Sequence, residues 1–177
     1  MPARSRPRKS WREKLARDHG LPKVEHLDAA GAKRWGGKTL AIPAPREVDA
    51  LMRTVPKGRV TTINELRAAV AKQHKAEVGC PITTGIFSWI AAHAAAEALA
   101  AGEKDPTPYW RTVKKDGELN PKYPGGLPAL EKKLADEGHV FVRKGARVLV
   151  ANLDRVLHSP GAKHALTTRR QPRSVGP

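Results

Sequence analysis

Apolar residues begin to recur at helical intervals at Pro45. Val48, Leu51, Met52 and Val55 share one face, Pro45 suits a first helical turn, and Pro56-Lys57-Gly58 ends the helix. Val60-Thr61 reads as extended. Thr62-Ile63-Asn64-Glu65 has the form of a capping box, in which the Thr hydroxyl takes an orphan amide and Glu65 reaches back. The helix it opens runs to about Gln73 and buries Leu66, Ala69 and Val70. After a loop at 74–79, Cys80-Pro81-Ile82-Thr83-Thr84 leads into a long alanine-rich helix, roughly Thr84 to Ala101, closed by Gly102, with Ile86, Trp89, Ile90 and Ala94 as its buried stripe. Arg111 to Val113, the Lys115-Asp116-Gly117 reversal and an extended return through Leu119 predict a hairpin, because Gly accepts the positive φ such turns need. A rigid Tyr123-Pro124-Gly125-Gly126 corner follows. Pro128 starts another helix that ends at Gly138, and Phe141 to Val150 forms a second hairpin about Lys144-Gly145-Ala146.

Upstream, Ser10 caps a short helix over Trp11 to Asp18, and residues 21–45 read as an ordered arm with too few apolar positions to bury much surface. Residues 1–10 and the tail from His158 have no apolar period and are expected to be disordered. The expected fold is α+β, mostly α with small β hairpins, in a winged helix-turn-helix outline. The organisation is a basic arm over 1–43, one domain over 44–157 with a C-terminal hairpin, and a basic tail over 158–177.

Charge changes the picture from fold to partner. The 177 residues carry a formal net charge of +16. Residues 1–45 hold eleven Lys/Arg against four Asp/Glu, and residues 158–177 hold four against none. Such an excess points to a polyanion, with nucleic acid ahead of an acidic membrane surface, since no basic amphipathic helix with a large apolar face is present. The single cysteine, Cys80, excludes an intramolecular disulfide and fits a reducing compartment. With no long apolar run and no signal-like N-terminus, the expected location is cytoplasmic, associated with the nucleoid. The seven histidines are scattered and give no metal-ligand spacing, and no cofactor is expected. Tyr109 and Trp110, side by side near Arg111, Lys114 and Lys115, are either a stacking platform in a basic setting or a pair of core aromatics under a loop.

Two blocks carry a resemblance. Val55 to Leu66 (Val-Pro-Lys-Gly-Arg-Val-Thr-Thr-Ile-Asn-Glu-Leu) is similar to the entry of the DNA-binding domain of alkylguanine-DNA alkyltransferases. Pro108-Tyr109-Trp110-Arg111-Thr112-Val113, then Tyr123 to Leu127 and Glu137-Gly138-His139, resembles that family's active-site block and closing helix. The resemblance covers about residues 44–140. It implies an acceptor cysteine in Pro-Cys-His-Arg, activated through water by the histidine, which a glutamate orients. Here Tyr109 stands at the cysteine position and Trp110 at the histidine position. A phenol with a pKa of about 10 is a poor nucleophile at neutral pH and an indole is no base, so transfer to residue 109 is excluded.

The chain resembles more closely the alkyltransferase-like proteins, which replace the acceptor cysteine, bind DNA carrying alkylated guanine and hand the lesion to other repair proteins. That likeness implies a monomer on double-stranded DNA, with Tyr109, Trp110, Tyr123 and Glu137 at a lesion pocket. Arg59, Thr61, Thr62, Thr83, Thr84, Ser88, Arg111, Lys114 and Lys115 are the expected DNA contacts. The sequence departs from the family at Pro81 to Phe87, which has no Arg or Lys where an arginine would fill the space of a flipped nucleotide; Thr83, Thr84 or Ile86 is the available wedge. Two other readings stand beside this one. Cys80, at a helix start, suits an alkyl-accepting or redox-active thiol, or an inert buried one. A sequence-indifferent nucleoid or RNA-binding protein is the third.

The tails yield the first expected outcome. Removing residues 1–10 and 158–177, which carry eight Lys/Arg and no Asp/Glu, should weaken binding to any duplex and flatten the dependence of log affinity on log salt. A salt titration in gel shift reads both; an unchanged slope would assign that charge to another task.

Overall fold

The computed structural model describes residues 9–161; the expectations for residues 1–8 and 162–177 lie outside the described residues. The fold is mixed α+β, as the periodicity predicts. Its axis is α5 (Pro81–Ala100), against which α1 (Trp11–Ala16), α3 (Pro45–Arg53) and α4 (Ile63–Gln73) pack. α6 (Gly126–Ala135) closes the far side of the core, and α7 (Leu153–Val156) follows the last hairpin. Val48, Met52, Val60, Leu66, Phe87, Val113, Leu119, Leu130, Leu134 and Val148 meet in one cluster.

Local rules explain most element starts. Ser10 and Glu13 form a reciprocal capping box on α1, and Pro45 sits in the first turn of α3. The Thr62 hydroxyl accepts from the Glu65 amide at 3.2 Å and so caps α4. The helix α5 begins three residues before its expected start, because Pro81 at its first position lacks the amide that would go unsatisfied there and Cys80 serves as the N-cap residue.

Three expectations are corrected by tertiary pairing. Residues 21–45, read as an ordered arm with little to bury, are built into a sheet. There β1 (Lys23–His26) pairs antiparallel with β2 (Thr39–Ile42), which runs parallel to β4 (Val78–Gly79) in the loop before α5; α2 (Ala29–Trp35) joins the two strands. Leu40 and Ala41 are buried by this pairing, and the Ala41 carbonyl takes the Cys80 amide at 2.8 Å.

The hairpin expected at 111–119 is also rearranged. Residues 109–111 form a 3-10 turn, and β5 (Thr112–Val113) pairs parallel with β3 (Thr61–Thr62). The reversal at Asp116-Gly117 is present, with Gly117 at φ +85°, but the return strand bonds to β7 (Arg147–Val150) of the hairpin it makes with β6 (Phe141–Lys144): the Leu119 amide donates to the Val148 carbonyl.

The third correction concerns α5. Its buried face is Thr84, Phe87, Ser88, Ala91, Ala92, Ala94, Ala95 and Ala98, whereas Ile86 is exposed and Trp89 and Ile90 are half-buried. Alanine on the inner face lets α3 come close, and the larger side chains are left on the outer one.

Gly79 marks the tightest approach in the fold, since a Cβ there would collide with the Arg67 carbonyl of α4. Gly79→Ala should therefore push β4 off α4 and lower stability by about 3 kcal/mol, with urea unfolding as the measurement. Loss under about 0.5 kcal/mol would show that the strand yields freely.

Candidate functional site

Trp110, Arg111 and Glu137 form a closed latch. Arg111, at the end of the 3-10 turn, sends one guanidinium N–H to the Val55 carbonyl at 2.7 Å and binds Glu137 through Nε (2.9 and 3.1 Å) and a terminal nitrogen (2.9 Å). Trp110 donates its indole N–H to the same carboxylate at 2.7 Å, and the Gly58 amide adds a bond at 3.2 Å. Glu137 thus has donors where the sequence offered it no histidine to orient. Its side chain is 6% exposed and that of Arg111 15%. Burial pushes the Glu137 carboxyl up, but the bonds from Arg111, Trp110 and Gly58 outweigh it and hold the group below its ordinary value. Lys133 sits 4.4 Å over the Trp110 ring.

Tyr109 and Tyr123 are each 3% exposed, so neither presents a ring face to solvent. Tyr109 meets Trp110 and Tyr123 edge to face, at 5.4 and 6.1 Å between ring centres, and its hydroxyl reaches the Pro124 carbonyl at 3.5 Å. Burial raises its phenol pKa, which makes residue 109 a poorer nucleophile than free tyrosine. Burial also pushes Tyr123 up to about 12, opposed by bonds with Ser88 and Asn120. In this arrangement the three aromatics are a packed wall and not an open platform.

Most of the expected DNA contacts are likewise spent inside. Thr61, Thr62, Thr84 and Ser88 are buried: Thr62 caps α4, Thr84 donates to the Cys80 carbonyl at 2.7 Å, and Ser88 to the Gly85 carbonyl at 2.9 Å. The Thr61 hydroxyl is buried without a partner, and so is that of the half-buried Thr83. Arg111 points inward. Arg59 is exposed but its guanidinium binds the Arg155 and Leu157 carbonyls, and Lys114 pairs with Glu118 at 2.6 Å. Lys115 is exposed. Cys80 is a buried free thiol. Among the described residues no group of three or more His, Cys, Asp and Glu is placed to hold a metal, and no helix is long and apolar enough to cross a membrane.

The open site lies on the outer face of α5. Ile82, Gly85, Ile86, Trp89 and His93, at helical spacing, face Asn120 and Lys122 across a cleft of about 650 Å³. Ile82 is 54% and Ile86 48% exposed. The Lys122 carbonyl fixes the far end, accepting from the Trp89 indole at 3.2 Å and from His93 Nε2 at 3.3 Å. The buried Tyr123 lies behind the cleft, near Ser88 of α5 and Asn120 of the rim. Trp11 of α1 completes the end wall, stacked on His93 at 4.5 Å and edge-on to Trp89 at 4.6 Å. Of this stripe the periodicity finds Ile86 and Trp89, grouped with Ile90 and Ala94, and misses Ile82 and His93. It cannot say that the stripe faces solvent, and an apolar stripe reads as core.

No family model matches the chain, and no curated protein does. Two solved structures are similar in fold. One is S. pombe Atl1 in complex with damaged DNA containing O6-carboxymethylguanine, at TM-score 0.48; the other is S. pombe ATL in complex with DNA, at 0.47. Each is 17% identical and covers 66% of this chain and 94% of its own.

The latch sets an expected pH dependence. A depressed carboxyl stabilises the fold above its unfolded pKa of about 4.3, and the contribution is lost as pH falls through the lower folded value. Glu137→Gln should cost about 3 kcal/mol at neutral pH by leaving Arg111 unpaired, and the gap to wild type should close under acid. Urea unfolding across pH reads this; a gap that persists unchanged in acid would remove the carboxylate from the explanation.

Proposed function

We propose that the protein binds double-stranded DNA along the outer face of α5 and receives a modified or extrahelical base in the cleft between α5 and Asn120/Lys122, without accepting an alkyl group. The observation that carries this reading is the cleft itself: a largely apolar hollow of about 650 Å³, with Trp89 and His93 in its lining, on a chain of net charge +16. Its size is that of a small-molecule site. Trp89 offers a ring for a base, Asn120 an amide that both donates and accepts, and Lys122 a cation at the rim for phosphate. Ile82 and Ile86 project from the first two turns of α5, where a wedge would enter a base stack.

The resemblance to alkyltransferase-like proteins supports the same chemistry from the sequence side. In this proposal the base is met in front of Tyr123, because the buried Tyr109 and the indole bonded to Glu137 support no open site there. The absence of alkyl transfer rests on a buried phenol at residue 109 and an indole at 110 that is already committed to Glu137.

Gel shift at fixed salt, comparing plain with O6-alkylguanine duplex, tests the reading. Wild type should prefer the alkylated duplex, and Trp89→Ala should lose roughly fivefold to hundredfold of that preference, the value of one base–aromatic stack. Ile86→Glu leaves the core untouched and should abolish the preference by charge, so a folding defect in the tryptophan variant would not decide the matter. Intact mass after incubation should show no added alkyl group; a gain on Cys80 would establish the alternative thiol chemistry. Equal affinity of wild type for both duplexes would leave a protein indifferent to the lesion.

A further inference from the structure

A second hollow opens beyond the Trp11–His93–Trp89 wall. It has a volume of about 580 Å³ and is bounded by Lys9, Trp11, Lys14, Arg17 and His19, with Ile90 of α5 as its floor. Four of these six side chains are cations or can become one, and no acid lines the hollow. The two acids of the segment are turned to the backbone: Glu13 accepts from the Ser10 amide at 2.7 Å and Asp18 from the Gly20 amide at 3.3 Å.

Arg12, on the same helix, shows the contrast. It pairs with Glu103 at 2.8 Å, and its amide donates to Glu97 at 2.9 Å, so it serves to dock α1. Among the described residues, Lys9, Lys14, Arg17 and His19 have no acidic partner. Lys14 is held in place all the same, its ammonium 3.7 Å over the Trp11 ring. Like charges gathered without counter-charge raise the free energy of the unbound protein, and a polyanion at the hollow relieves it.

Position supplies the partner. The base cleft and the basic hollow share α5, along which Ile82 to His93 rises about 16 Å. That length passes about five phosphates of one strand, or half a turn of B-form duplex. We infer that α1 is a second DNA contact: the hollow at Lys9, Lys14, Arg17 and His19 takes the phosphodiester backbone of the same duplex whose base meets the α5 cleft, and this rests on the function proposed above. Trp11 joins the two, as both the end wall of one site and the seat of Lys14 in the other.

The test is the salt dependence of affinity for a plain duplex of about two helical turns. The full chain is compared with Lys14→Gln/Arg17→Gln, with the charge-preserving Lys14→Arg/Arg17→Lys, and with Lys33→Gln/Lys38→Gln as a charge-matched removal elsewhere. The first double variant should flatten the log–log slope by about one to two, the loss of one or two phosphate contacts. The charge-preserving pair should keep the wild-type slope and the distant pair should change it by less than half a contact, about 0.5. An unchanged slope in Lys14→Gln/Arg17→Gln, or an equal flattening in Lys33→Gln/Lys38→Gln, overturns the inference while leaving the base cleft standing. A wild-type protein that binds no duplex overturns both.

Discussion

The buried pair of Arg111 and Glu137 is the constraint on which the geometry of the site depends. Taking both charges out of water is expensive, and the cost is met only because further hydrogen bonds surround them. Val55 at the end of α3, Gly58 in the following turn, Trp110 in the 3-10 turn and Glu137 after α6 all converge on one guanidinium–carboxylate contact. That contact sets the direction of residues 109–113 and hence the parallel pairing of β5 with β3. With the indole tied down on one side and Tyr123 braced on the other, Tyr109 has no room to swing outward. A block that resembles a reactive centre is here a structural joint.

The division of α5 into a small inner face and a large outer face has the opposite effect. An alanine-lined helix face can approach a neighbour closely, and this one brings α3 and the core together. The side chains that would fill a looser interface, Ile82, Ile86 and Trp89, are displaced to the surface, where α1 and the 120–122 loop only partly cover them. Leaving isoleucines half in water costs on the order of 1 kcal/mol apiece. A continuous apolar surface of that kind is worth retaining where another molecule covers it.

Charge is distributed to suit. The acids among the described residues are largely committed to structure, capping helices or pairing within turns, as Glu13, Glu47, Glu118 and Glu137 do. Lys9, Lys14 and Arg17, on and beside α1, have no acidic partner among the described residues. The molecule therefore keeps its acids for folding and its spare bases for the outer surface, the arrangement expected of a protein that meets a polyanion.

Much of this was legible in the residues alone. Helix starts are decided within one turn, so the caps at Ser10 and Thr62 and the first-turn Pro45 are legible locally, whereas α5 starts at Pro81, three residues before its expected start. The tight reversal at Asp116-Gly117 and the two-residue loop at Gly145-Ala146 are equally local. The net charge, the lone cysteine and the resemblance carried by Pro108 to Val113 follow from composition and motif. What only the tertiary structure decided is pairing and facing. Strand partners are chosen by free edges elsewhere in the chain, so β2 joins β4, and the return strand after Gly117 joins β7. A helical stripe of isoleucine and tryptophan has the same period whether it is buried or exposed, and the alanine face of α5 took the core because small side chains allow the closer approach. The same reason leaves Ile82, Ile86 and Trp89 on the outer surface of that helix, while Tyr109 is packed inside.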